Sequence, residues 1–85
     1  MKKSQLIESL IASQFAEDYV NLQHNIVVET EDEHHFTVIV VSDAFIDKKL
    51  IERQRMVYAS LGDKFATGEI HALSLKTFTQ DEYKN

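Results

Sequence analysis

The stretch over residues 36–42, FTVIVVS, limits most sharply what this chain can become. It is apolar except for Thr37 and Ser42. Its β-branched side chains, stiff at χ1, pack best on a pleated surface, so it reads as a strand. Alternation places Phe36, Val38 and Val40 on one face, while Ile39 and Val41 make the other face apolar too. A strand apolar on both sides belongs inside a sheet, often beside a parallel neighbour. The neighbour expected downstream is 70–78, IHALSLKTF, and the segment between them has helical spacing. Strand, crossover helix and second strand form one right-handed unit, and that unit decides where the polar residues end up.

The remaining elements follow from periodicity. Leu6, Ile7, Leu10, Ile11 and Phe15 form one stripe at three- and four-residue spacing, which predicts a first helix with Ser4 as its N-cap, ending near 15–18. From Val20 the period becomes two: Val20, Leu22, His24, Ile26, Val28 and Thr30 alternate with mostly polar residues. This predicts a half-buried strand over 20–30, joined by the acidic loop TEDEHH (30–35) to an antiparallel partner at 36–42. His24, on the apolar side, reads as a packed or edge histidine. The sequence SDAFID turns, with Asp43 or Asp47 available to cap a second helix over 48–61. That helix is expected to bury Leu50, Ile51, Val57, Tyr58 and Leu61 and to end at Gly62. Residues 63–68 suggest one more helical turn with Phe65 inward. Thr79 and Glu82 have the spacing of a capping box for a short last helix. The order is α-β-β-α-β-α: an α+β fold with a three-stranded mixed sheet covered by helices.

Composition narrows the function classes. Eighty-five residues predict one domain spanning 1–85. No apolar run approaches the roughly 18 residues of a membrane span. Met1, Lys2 and Lys3 lead into an amphipathic segment without a signal-peptide core, so no membrane and a cytoplasmic location are expected. The absence of cysteine excludes disulfides, thiolate ligands and a cysteine nucleophile. A formal charge of −5 argues against a surface that is mainly a nucleic-acid footprint. Without proline, and with glycine only at 62 and 68, no phosphate-cradling loop can be built. No G-x-S-x-G or H-E-x-x-H occurs, and nothing argues for an enzyme.

Two clusters remain as candidates. If the last strand runs parallel to the central one, both begin at the same end of the sheet. His34 and His35 then stand beside His71, since adjacent strands lie about 4.8 Å apart. Imidazoles so placed could share a metal; the alternative is exposed histidines at a loop and a strand end. The second helix opens with Lys48, Lys49, Arg53 and Arg55 against Glu52 alone, opposing the macrodipole. That face is either an anion or partner site or a solvated surface. Glu31, Asp32 and Glu33 read as solvated loop charge rather than as an acid/base pair.

The blocks HFTVIVVSDAF, RQRMVYASL and IHALSLKTFT resemble the BolA-like family, and the likeness extends from Ser4 to Tyr83. The resemblance implies a type II KH-like fold and a role beside a monothiol glutaredoxin. A [2Fe-2S] cluster would be shared with that partner and its glutathione, with none expected in the isolated protein. It further implies His71 as a ligand, with a second ligand, Cys or His, from the loop before the central strand. Here that loop offers His34 and His35. Gln54 stands where members often have histidine, and Tyr83 stands in place of a tryptophan. The family is also described as DNA-binding regulators, which would use Lys48, Lys49, Arg53 and Arg55. The KH likeness does not carry RNA binding with it, because no G-x-x-G is present. A homodimer is a further option.

Overall fold

The strand at the centre of this fold is paired along both edges. The computed structural model describes residues 2–62 and 72–84. Its elements, in order, are α1 (Lys3–Asp18), β1 (His24–Glu29), β2 (His35–Ser42), a 3₁₀ turn (Asp43–Phe45), α2 (Leu50–Leu61), β3 (Ala72–Phe78) and α3 (Gln80–Lys84). The strands form one mixed sheet ordered β1-β2-β3. β1 is antiparallel to β2, and β3 is parallel to it. The α+β architecture and the central place of 36–42 are as expected.

Burial on the two faces of β2 is unequal. Phe36, Val38 and Val40 are buried. Val38 lies between Val28 and Leu75, and Val40 between Ile26 and Thr77. α1 covers this face with Ile7, Ile11 and Phe15, and α2 with Val57 and Leu61, all at 1% exposure or less. On the other face Val41 is buried but Ile39, flanked by Val27 and Lys76, is half-buried. The short α3 is the helix next to that end of β2 and β3.

Several boundaries and caps differ from expectation, each for a local reason. β1 starts at His24 rather than near Val20, because Leu22 N–H closes a turn on the Tyr19 carbonyl (3.1 Å). Val20 is left 76% exposed. Ser4 is not the N-cap of α1. Lys2 holds that position, and the Gln5 side chain accepts its N–H at 3.2 Å. Ser4 instead sits in the first turn and donates its N–H and hydroxyl to Glu33 Oε1, at 3.2 and 3.3 Å. Neither Asp43 nor Asp47 caps α2, whose N-cap is Lys49. Asp43 Oδ1 serves α3, accepting Gln80 N–H at 3.3 Å. Gly62 ends α2 at φ +62°, ψ −129°, a conformation that side-chain-bearing residues avoid. The capping box of α3 forms as expected: Thr79 N–H donates to Glu82 Oε1 (2.9 Å) and Glu82 N–H to Thr79 Oγ1 (3.2 Å). The expectations for residues 63–68, and for His71, lie outside the described residues.

The buried stripe of α2 is shorter than its apolar pattern suggests. Val57 and Leu61 are buried, while Leu50, Ile51 and Tyr58 are 61%, 55% and 38% exposed. Ile51 and Tyr58 point roughly 100° away from the Val57–Leu61 line at 3.6 residues per turn. Leu50 is on that line but in the first turn, ahead of the covered surface. The volume near that end is filled by Phe45, fully buried and edge-on to Phe15 (5.6 Å, 78°). Phe45→Ala is therefore expected to cost about 3–5 kcal/mol, and Leu50→Ala no more than about 0.5 kcal/mol. Urea unfolding midpoints compared at equal m-value would check both, and a large loss in Leu50→Ala would contradict the exposed placement.

Candidate functional site

The parallel pairing of β2 and β3 brings their first residues together: His35 is in register with Ala72. His71 precedes Ala72 in the chain and lies outside the described residues. His34 and His35 are both exposed where the hairpin loop enters β2.

That loop is held by its own side chains. Thr30 Oγ1 donates to the His35 carbonyl (2.7 Å) and accepts Glu33 N–H (3.0 Å). Asp32 Oδ1 accepts the backbone N–H of both His34 and His35 at 2.9 Å. Asp32 Oδ2 lies 2.9 Å from His35 Nδ1. Glu33 adopts φ +58°, and its carboxylate receives the Ser4 groups at the start of α1. The loop is thus tied to a helix N-terminus, where a carboxylate is favoured by unpaired N–H groups and by the helix dipole. The backbone N–H of His35, then its ring and the N–H of His34, hold the Asp32 carboxyl well below the usual carboxylate range. Glu29, Thr30, Glu31, Asp32, His35 and Thr37 line an open polar groove beside the ring.

Sequence reasoning treated Asp32 and Glu33 as solvated charge and so missed both roles. The signal available was the run D-x-H-H after a threonine, since an aspartate readily accepts N–H bonds two and three residues ahead.

His24 is engaged on both ring nitrogens. A carbonyl can only accept, so Nε2–H donates to Tyr19 O (3.4 Å), and Nδ1 accepts the Ser42 hydroxyl at 2.5 Å. The ring also stands edge-on to Phe15 at 5.2 Å. No lone pair is left for a metal.

Among the basic residues, Lys48, Lys49 and Arg55 are exposed, but Arg53 is committed. Its Nε donates to the Lys48 carbonyl (2.9 Å) and its two terminal nitrogens to Glu82 at 2.6 and 3.1 Å. The guanidinium also lies 5.8 Å from the Phe45 ring centroid, and its side chain is 13% exposed. Arg53 therefore clamps α2 to α3.

Among the described residues, no group of three or more His, Cys, Asp or Glu side chains is arranged to hold a metal ion. Nor is any described helix long and apolar enough to cross a membrane.

A mixed three-stranded sheet with two helices over its better-covered face, and a histidine-bearing hairpin loop at the end where its parallel strands begin, defines a small α+β domain class. The chain belongs to the BolA-like protein family, which matches residues 18–82. It is similar to an Escherichia coli K12 protein named DNA-binding transcriptional regulator BolA, 37% identical over 62 residues that cover 73% of this chain and 56% of that one. A Haemophilus influenzae relative of uncharacterised role is 48% identical over 50 residues, covering 59% of each. The chain thus spans little more than half the length of these curated relatives. In structure it resembles a bolA protein homologue from Coxiella burnetii, 32% identical, with full coverage of both chains and a TM-score of 0.77. It also resembles the BolA domain of SufE1 from Arabidopsis thaliana, 31% identical, covering 96% of each, with a TM-score of 0.63.

The Arg53 clamp has a measurable titration. The Arg53 hydrogen bonds, followed by the Thr79 N–H, draw Glu82 from 4.5 down to about 2. A depressed carboxylate contributes stability above its unfolded value and loses it as pH falls toward the folded one. The melting temperature of the wild type should therefore exceed that of Glu82→Gln at neutral pH. The gap should close between about pH 5 and pH 2. A gap independent of pH in that window would show that the ion pair does not carry it.

Proposed function

We propose that this chain is a non-enzymatic adaptor that holds a [2Fe-2S] cluster as shared cargo with a monothiol glutaredoxin, contributing His71 and one loop histidine. The observation that carries this reading is the exposed, hydrogen-bonded His35 at the end where β2 and β3 start in parallel. The donor chemistry fits a shared site. With no cysteine, this chain can offer nitrogen and oxygen donors only, and thiolates would come from the partner and its glutathione. The presence of a BolA domain within a protein named SufE1 adds a link toward iron–sulfur chemistry. Two thiolates on one iron and two imidazoles on the other would resemble the Rieske arrangement, with a higher potential than an all-thiolate cluster. Metal ligation needs neutral imidazole, so the complex should weaken in acid. A cytoplasmic setting suits a cysteine-free partner of this kind.

Titration of the protein into cluster-loaded monothiol glutaredoxin should change the visible spectrum. His71→Ala should alter the spectrum and lability of the mixed cluster and lower its potential, whereas His24→Ala should leave them as they are. An unchanged spectrum and potential in His71→Ala would remove that residue from the ligand set.

A second reading is favoured by the names of the Escherichia coli and Vibrio cholerae relatives, both DNA-binding transcriptional regulators. It would use the exposed Lys48, Lys49 and Arg55, with Arg53 already engaged by Glu82. Phosphate contacts release counterions, so such binding should fall steeply with salt. Weak, sequence-tolerant binding is expected here, given the charge of −5. A sequence-specific complex tighter than about 10⁻⁸ M at physiological salt would establish the regulator reading instead.

A further inference from the structure

Two histidines stand side by side in the loop, and only one of them has its ring prepared. An ionised carboxylate can only accept hydrogen bonds, and Asp32 Oδ2 lies 2.9 Å from His35 Nδ1. In the neutral ring the proton therefore sits on Nδ1, which leaves the lone pair on Nε2. The His35 side chain is 77% exposed, so that lone pair faces solvent. Which nitrogen of an imidazole can bind a metal is set by the hydrogen bond that the other makes. A carboxylate behind a ligating histidine fixes its tautomer, holds the ring's orientation and makes it more basic.

The carboxylate is itself fixed. Its other oxygen takes the backbone N–H groups of His34 and His35, and Thr30 fastens the loop from its far side by bonding the His35 carbonyl and the Glu33 N–H. The neighbouring His34 has its backbone N–H in this network, but among the described residues its ring has no partner. Among the described residues, nothing fixes its orientation or its tautomer. The two adjacent residues thus differ in the property that matters for ligation.

We propose that Asp32 is a positioning residue that locks His35 as its Nδ1–H tautomer and thereby makes His35 Nε2, rather than His34, the donor of this loop toward a shared metal cluster. The inference rests on the adaptor reading for the identity of the metal, but the tautomer lock stands on the geometry of the loop alone.

The substitution Asp32→Asn separates these roles. Its amide oxygen can keep the two backbone N–H bonds of Oδ1, while its NH₂ replaces Oδ2 and donates to Nδ1. The ring proton then moves to Nε2 and blocks the outward nitrogen.

The first measurement is ¹⁵N NMR of the imidazole nitrogens in the full chain without partner, at a pH where the rings are neutral. His35 should be the Nδ1–H form in the wild type and the Nε2–H form in Asp32→Asn, with the backbone amides of residues 34 and 35 little moved. An Nε2–H ring in the wild type, or a tautomer indifferent to the substitution, overturns the lock.

The second measurement is pulsed EPR of histidine nitrogen couplings in the dithionite-reduced mixed cluster with a monothiol glutaredoxin. His35→Ala should lose one coupling and His34→Ala none. Asp32→Asn should weaken mixed-complex formation about 10- to 100-fold, the range for outer-shell partners. A coupling lost in His34→Ala and kept in His35→Ala overturns the assignment while the adaptor reading survives. No histidine coupling at all in the wild-type complex overturns the adaptor reading, and with it the ligand assignment, while the NMR result still decides the tautomer.

Discussion

β2 is hydrogen-bonded along both edges, and those two registers place almost everything else. The antiparallel edge aligns Val28 and Ile26 with Val38 and Val40, and the parallel edge aligns Leu75 and Thr77 with the same residues. One continuous apolar surface results, and α1 and α2 bury it. The parallel register also sets His35 opposite Ala72, so the end where β2 and β3 begin is a consequence of how the core is paired. Slipping either strand by one residue would turn its core side chains outward. The site is therefore specified by the same contacts that specify the fold.

Strand order and direction were legible in the sequence because they depend on patterns a few residues long: the two-faced run at 36–42, the period-two alternation of β1, and helical spacing before β3. What was not legible depends on partners far apart in the chain. Ser4 looked like an N-cap because serine favours that position, yet its N–H and hydroxyl both donate to Glu33, 29 residues away. Arg53 looked like one of four similar cations until Glu82, again 29 residues distant, claimed it. Leu50 matched the apolar stripe of α2 in angle but lies ahead of the surface that covers Val57. Periodicity reports direction around a helix; it does not report how far the neighbouring layer extends.

Four acidic residues of this chain serve as acceptors for backbone donors that their own elements leave unpaired. Glu33 receives the first turn of α1, Asp43 and Glu82 receive the start of α3, and Asp32 receives two consecutive N–H groups in the loop. A net charge of −5 thus does not describe a uniformly repelling surface. Each of these carboxylates is tied to a specific backbone donor, and an unmade bond to such a donor is costly where water cannot replace it. The same habit puts the carboxylate of Asp32 behind His35.

His24 and His35 show how far a residue type is from a function. His24 lies between Ser42, Tyr19 and Phe15, and its bonds to a carbonyl and a hydroxyl use both ring nitrogens. Its placement on the inner side of β1 makes it a polar fastener between a strand and the turn leaving α1. His35 lies at the entry to β2, where one nitrogen is used and the other has no partner among the described residues. Both histidines open a strand. The difference arises because β1 enters the sheet beneath the aromatic end of α1, while β2 enters it from a loop whose acceptor is a carboxylate. A ring with one nitrogen fixed to an anion and the other exposed has given up the mobility that a ligand must otherwise lose on binding. That preorganisation, and not exposure or sequence spacing, is what sets His35 apart from the other described histidines.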